Sequence, residues 1–298
     1  MDNFYFHDSG NRLDYELLDF GEGVRVERFG KYIIERPSLA AYDFHRSNNK
    51  IWNKVDSSFI PENSNGQRGK WTVKIEPWQV ELGQVTLELR CTPFGHVGFF
   101  AEQITNWLEL YSTISDSLER RNSIRVLNLF GYTGGASIAS AKVTNGLKKV
   151  EVVHVDSAGN VVEWAKRNVA LSGVTGVRFI VDDVRKFVIR ELRRKKFYDV
   201  IILDPPTYGH GTRGETWKFD IDLPVLISNI VGLLSEQPIL ILITAHTENF
   251  DPDMLQDMLL NTGIPYSLKI KKFQMQIKAQ TGKLLPSGYG VCASVYNS

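Results

Sequence analysis

From Ser123 onward, apolar and polar positions alternate in blocks rather than residue by residue. Short runs that are almost wholly apolar, Ile124–Phe130 (IRVLNLF), Val150–Asp156 (VEVVHVD), Val177–Asp183 (VRFIVDD) and Tyr198–Asp204 (YDVIILD), predict strands buried on both faces. Between them, Ala136–Thr144, Asn160–Gly173 and Val184–Lys195 carry apolar residues at helical spacing. Strands joined by helices pair in parallel and make an α/β sheet covered on both sides. A further strand, Ile239–Ala245, and a helix, Pro252–Gly263, continue the pattern. The chain then closes with two strand-like stretches, Tyr266–Ile277 and Gly290–Ser298, with no helix between them, which predicts a C-terminal antiparallel hairpin at one edge.

Before residue 120 the texture differs. Gly23–Pro37, Gly69–Ile75 and Gln84–Pro93 are short, β-branched and separated by Gly, Pro and Asn, the signature of strands and turns. Pro61–Lys70 (PENSNGQRGK) reads as an exposed loop, and Ala101–Arg121, with Ile104, Trp107, Leu108, Tyr111 and Leu118 at helical spacing, as a helix leading into the second region. The expected organisation is a small β-rich N-terminal region, residues 1–95, followed by a Rossmann-like α/β domain, residues 96–298.

Composition adds limits. With 298 residues and 43% hydrophobic content the chain can fill a large core, and a net charge of +1 gives no whole-molecule field for nucleic acid. Residues 1–95 hold 12 Lys/Arg and 14 Asp/Glu, a balance of −2, so that region does not read as a phosphate-binding module. Cys91 and Cys292 show neither a disulfide framework nor metal-ligand spacing, and there is no apolar leader or membrane span in the pattern. A cytoplasmic protein without metal is expected.

Candidate chemistry sits where strands end. Strand one runs into Asn128–Gly135 (NLFGYTGG), whose glycines allow a tight turn with backbone N–H groups close to a ligand. Strand two ends in Asp156, 21 residues after Gly135, placed to accept from ribose hydroxyls. Strand three ends in Asp182-Asp183, acceptors for a purine amine, and strand four in Asp204-Pro205-Pro206. Singly, each acid is as well read as a helix cap and the glycines as a turn. Their succession on consecutive strands favours a nucleoside-bearing cofactor.

In that order, VLNLFGYTGG, VVHVDSA, FIVDDVRKF and IILDPP resemble the four cofactor motifs of the class I S-adenosylmethionine-dependent methyltransferases, and of the bacterial 23S ribosomal RNA cytosine-C5 group in particular. His96–Gln103 (HVGFFAEQ) is similar to the segment that precedes the catalytic domain there. The resemblance implies a seven-stranded Rossmann-like sheet, S-adenosyl-L-methionine as cofactor, RNA, with ribosomal RNA favoured, as substrate, and residue roles. Gly131, Tyr132, Thr133 and Gly134 would line the methionine part, Asp156 the ribose, Asp183 (or Asp182) the adenine amine, with Val184 against the ring. Phe100, Gln103, Asn128, Phe130, Ser157 and Asp204 complete the expected cofactor set. The family's arginine after the glutamine is Ile104 here. The glycine pattern is G-x-x-G-G, which separates the chain from dinucleotide dehydrogenases with G-x-G-x-x-G.

For catalysis the sequence offers Asp204, Pro205, Pro206 and Tyr208. Proline has no N–H, so the corner's carbonyls and the Asp204 carboxylate can face a planar amine. Tyr208 or Trp217 stacks on a base or simply packs on the loop. Cytosine-C5 chemistry needs a cysteine nucleophile, which the resemblance places after strand five; Ile243–Thr247 reads ITAHT there. His246 is then either a base or a loop histidine, as is His210, and Arg213 either meets a phosphate or is solvated. Two basic clusters remain: Arg190, Arg193, Arg194, Lys195 and Lys196, which also suits a helix C-terminus, and Lys269, Lys271, Lys272 and Lys278. Open alternatives are a methyltransferase of small molecules or proteins, and a cofactor-binding interaction module without catalysis.

Overall fold

The structure, a computed structural model, describes residues 2–4, 13–47, 49–62, 68–144, 149–210, 214–247 and 250–296. The chain divides into two compact units, one comprising Met1–Phe4, Asn106–Met275 and Gly288–Ser298, the other Tyr5–Thr105 and Gln276–Ser287.

After β1 (Asp2–Phe4), the second unit holds β2 (Tyr15–Gly21), β3 (Val24–Phe29), β4 (Tyr32–Pro37), a one-turn helix α1 (Asn49–Trp52), β5 (Ser57–Pro61) and β6 (Gly69–Trp71), which form one five-stranded sheet in sequence order. β7 (Trp78–Leu82) and β8 (Val85–Leu89) make a separate hairpin. β2, β3 and β4 are joined by tight turns in which Gly23 (φ 78°) and Gly30 (φ 61°) take left-handed conformations that a side chain resists. Phe20, Phe29, Ile34, Leu87 and Leu89 fill its core. Glu27 is fully buried among them, and Arg36 Nη2 at 2.6 Å, Arg25 Nε at 3.3 Å and the Tyr15 hydroxyl at 2.9 Å surround its carboxylate. Burial pushes that carboxyl up, but the two arginines outweigh it and hold it below the usual range. The N-terminal region is thus β-rich. The expected loop at Pro61–Lys70 falls partly outside the described residues, which lack 63–67.

The first unit carries the sheet that positions the candidate site. It runs α2 (Ile104–Leu118), β9 (Ser123–Leu129), α3 (Gly135–Ala141), β10 (Lys149–Asp156), α4 (Gly159–Leu171), β11 (Val177–Val181), α5 (Val184–Arg193) and β12 (Val200–Leu203). A small hairpin, β13 (Tyr208–His210) and β14 (Thr216–Lys218), precedes α6 (Phe219–Val231), β15 (Leu240–Ala245), α7 (Pro252–Leu260), β16 (Ser267–Lys278) and β17 (Leu284–Tyr296). The strand order is β1-β16-β17-β15-β12-β9-β10-β11. Seven of these make the expected Rossmann-like sheet, parallel except for β17, which runs antiparallel to β15; β1 adds a short eighth strand, parallel to β16. The expected helix from Ala101 is a 3-10 turn (Ala101–Gln103) before α2.

The hairpin β13–β14 and α6 were not in the sequence pattern. α6 buries Leu223, Leu226, Ile227 and Ile230, an i, i+3, i+4, i+7 stripe, but Pro224 in its interior masks the signal. Among the described residues no helix is long and apolar enough to cross a membrane, and no group of three His, Cys, Asp or Glu side chains could hold a metal ion.

Candidate functional site

The parallel register aligns the strand ends. Asn128 lies beside His154 and Ile202, and Leu203 beside both Leu129 and Ile243, so β9, β12 and β15 release the chain side by side. Ligands in such sheets bind beyond these carboxyl ends.

At β9 the chain turns sharply. Phe130 (φ 57°) and Tyr132 (φ 50°) are both left-handed without being glycine, a conformation that costs on the order of 1–3 kcal/mol each. The turn is held by Gly131 N–H to the Val155 carbonyl and Gly134 N–H to the Gly131 carbonyl, both 3.0 Å. Its glycines are required by close packing. A Cβ at Gly131 would lie 2.4 Å from the His154 ring, and one at Gly135 2.1 Å from Trp107, while Gly134 has φ 96° and faces Ala165. Thr133 is buried and its carbonyl accepts from Asn168 Nδ2 at 2.9 Å.

Beneath the turn is a polar network that sequence reasoning missed. Asn128 Nδ2 donates to Ser137 Oγ at 2.8 Å, and Ser137 Oγ lies 3.0 Å from His154 Nδ1. Asn128 therefore spends its side chain under the turn. His154 is fully buried, and burial pushes its imidazole down to about 4, with the Tyr132 backbone pulling weakly upward. A histidine inside an apolar strand was the available signal.

Asp156 ends β10 and ties that strand to the turn. Its Oδ2 accepts from Tyr132 N–H and its Oδ1 from Ala158 N–H, both at 2.9 Å. Burial raises its carboxyl above the ordinary range, opposed by backbone N–H groups including that of Ser157.

Asp183 caps α5. Its Oδ1 accepts from Arg185 N–H at 2.9 Å and Lys186 N–H at 3.3 Å, and the Arg185 guanidinium holds its Oδ2 at 2.6 Å. Burial would push this carboxyl up, but Arg185 holds it below the usual range. Asp182 pairs with Arg190, and Val184 is buried in the core with Phe187 and Leu203.

Asp204 follows β12. Its Oδ1 accepts from Thr244 Oγ1 at 2.6 Å and lies 3.2 Å from His246 Nε2. An unprotonated Nε2 facing a carboxylate would set lone pair against lone pair, so Nε2 carries the proton. Glycine at 288 makes room for this histidine, because a Cβ there would lie 2.8 Å from His246 Nδ1. The corner differs from expectation in one respect: the Pro206 carbonyl is taken by Trp217 Nε1 at 2.7 Å. Trp217 is buried, with its ring 4.9 Å from that of Phe130, and stands as a wall of the loop rather than a stacking platform. Pro205 is buried, Pro206 exposed, and Tyr208 is 54% exposed on β13.

Phe100 and Gln103 lie in the other unit, Phe100 against His96 (ring centroids 5.2 Å apart) and Gln103 buried. Cys91 is there too, its thiol pushed up by burial to about 11; Cys292 faces Leu242 from β17, pushed up by burial to about 12. Lys271 pairs with Glu109 and Lys272 with Asp253. Arg213 and the His210 side chain lie outside the described residues.

No family model matches the chain. A curated relative, ribosomal RNA large subunit methyltransferase K/L of Shewanella baltica, is 36% identical over 165 residues, 52% of this chain and 22% of the relative. The protein of the same name from Shewanella sp. strain ANA-3 is 33% identical over 225 residues, 72% of this chain and 28% of the relative. The chain thus spans about a quarter of the length of these relatives. Among solved structures, a SAM-dependent methyltransferase from Agrobacterium tumefaciens superimposes with TM-score 0.87 at 29% identity, covering 99% of this chain and 94% of that one. A methyltransferase complexed with SAH has TM-score 0.71 at 17% identity, covering 95% and 76%, a likeness of fold. The chain resembles the class I S-adenosylmethionine-dependent methyltransferases and has their fold.

Proposed function

We propose that the chain is an S-adenosylmethionine-dependent methyltransferase that modifies RNA in the cytoplasm, with ribosomal RNA the favoured substrate. The observation that carries this reading is Asp204. It stands at the carboxyl end of β12, tied through one oxygen to Thr244 and His246, one strand from the turn after β9. The whole-length likeness to a methyltransferase at 29% identity supports the cofactor, and the names of the curated relatives support ribosomal RNA.

The residues fit that cofactor. A doubly left-handed turn and a mostly buried acid at the next strand end are costly features that a packed core does not need. Phe130, Gly131, Tyr132, Thr133 and Gly134 would hold the methionine part, Asp156 and Ser157 the ribose, and Asp183 with Val184 the adenine. Bound S-adenosylmethionine supplies a methyl carbon made electrophilic by its sulfonium.

The chain's own part is alignment and proton removal. Thr244 and His246 both address Oδ1 of Asp204, so Oδ2 is available to accept an N–H of the incoming base and fix its lone pair in line with the methyl. Pro205 and Pro206 keep the corner rigid, and Tyr208 supplies an exposed ring for the base. The nitrogen that gains the methyl loses its proton to Asp204. A nitrogen acceptor is favoured over cytosine C5. The turn after β15 carries no cysteine, and both thiols are held protonated at neutral pH.

The test is transfer of labelled methyl from S-adenosylmethionine to RNA, protein and small-metabolite fractions of a deletion strain. Label is expected in RNA, on a nitrogen after digestion to nucleosides. Label confined to protein or metabolites refutes the RNA reading, and no label anywhere refutes catalysis.

A further inference from the structure

At the end of the sheet where β9, β10 and β11 begin, opposite the Asp204 end, lies a cleft of about 540 Å³. Arg125, Arg178, Arg194 and Lys196 line it, against Glu151 and Glu191. Only the last part of this set, Arg194 and Lys196, belongs to a basic run in the sequence. Arg125 and Arg178 arrive from separate strands because parallel pairing brings the starts of β9 and β11 to the same end of the sheet.

The cations are mounted on a buried base. Glu191 is 1% exposed and accepts from the Tyr198 hydroxyl at 2.6 Å and from Arg194 Nη1 at 3.3 Å, with Arg178 Nη2 at 3.9 Å. Arg125 lies over the Tyr198 ring, 5.0 Å from its centroid, and donates Nη1 to the Phe197 carbonyl at 2.7 Å. A guanidinium has five donors, so these bonds orient the arginines without exhausting them. Four cations against two carboxylates leave the lining net positive, although the chain as a whole is nearly neutral.

We infer that this cleft docks backbone phosphates of the RNA substrate, away from the atom that is methylated. The inference rests on the RNA reading above. The five residue steps of β10 from Glu151 to Asp156 separate the two ends by about 17 Å at about 3.3 Å per step. A ligand that reaches both is a polymer of several nucleotides, and phosphate contacts set its position while the transfer site selects the base.

The test uses the full chain with Arg178→Gln/Lys196→Gln, and Lys196→Gln alone as a milder variant. Binding of total ribosomal RNA is measured from low to moderate salt, with titration of S-adenosylmethionine and the unfolding midpoint alongside. The double variant should lose about tenfold or more in RNA affinity and flatten the slope of log affinity against log salt by about 2, the single by about 1, with cofactor binding unchanged. Wild-type affinity and slope in both variants, with RNA methylation intact, overturn the cleft alone. A wild-type chain that binds no RNA overturns the substrate reading with it. Inorganic phosphate is the second probe. If it binds wild type and not the double variant while both hold RNA equally, the cleft is a free-phosphate site and RNA docking is refuted.

Discussion

At Asp204, Thr244 Oγ1 at 2.6 Å and His246 Nε2 at 3.2 Å both reach Oδ1, which fixes the rotamer and leaves Oδ2 to the acceptor. Asp204→Asn replaces one oxygen by a donor and removes the proton acceptor. It should lower kcat by about 100-fold or more, the scale of losing a positioned acid–base group, while S-adenosylmethionine binds within about twofold of wild type. Full activity in this variant would remove Asp204 from the reaction. His246 acts through Asp204, so it is a positioning residue. His246→Gln retains an N–H donor and should keep most of kcat; His246→Phe, without one, should lose about tenfold, about the worth of one hydrogen bond to a charged group. Equal loss in both variants refutes the hydrogen-bond role. The sequence made Asp204 legible as an acid at a strand end, and left His246 open because a loop histidine is usually solvated. Thr244 was invisible, since a threonine inside ILILITA reads as an ordinary strand former.

The turn from β9 to α3 shows how an element can be legible for a different reason than it exists. Its glycines suggest room for a ligand, yet Gly131 is small because the His154 ring is behind it and Gly135 because Trp107 is. Gly131→Ala would press a methyl to 2.4 Å of a ring that Ser137 and Asn128 hold in place, so neither side can yield. Gly134→Ala meets Ala165 at 3.3 Å and adds the cost of φ 96°, on the order of 1–3 kcal/mol. Urea unfolding should therefore rank Gly131→Ala well below Gly134→Ala; the reverse order contradicts this account of the turn. Elsewhere the strands could be read because a parallel sheet covered on both faces needs apolar runs such as VIIL of β12. α6 could not, because Pro224 interrupts its stripe. The basic cleft was hidden for a third reason: Arg125 and Arg178 are 53 positions apart in the chain and meet only through strand register.

Across the molecule, acid should weaken the fold through buried histidines that resist a proton, and His154 and His96 are both pushed down by burial to about 4. His154 is fully buried with its imidazole pushed down to about 4, against an unfolded value near 6.5. Between those values the unfolded chain binds a proton that the native one refuses, so stability falls as pH falls through this window. From pH 7 to pH 5 the loss from this one group is about 2 kcal/mol. Comparing wild type with His154→Gln isolates it, because Asp156 and every other titrating group are common to both proteins. The variant starts less stable at pH 7, yet its unfolding free energy in urea should drop by about 2 kcal/mol less than that of wild type on going to pH 5. Parallel pH dependence in the two proteins would mean that the imidazole takes up its proton as readily in the fold as in the unfolded chain. That result would refute a ring kept neutral by burial, while the steric reason for glycine at 131, the place of the ring itself, would stand.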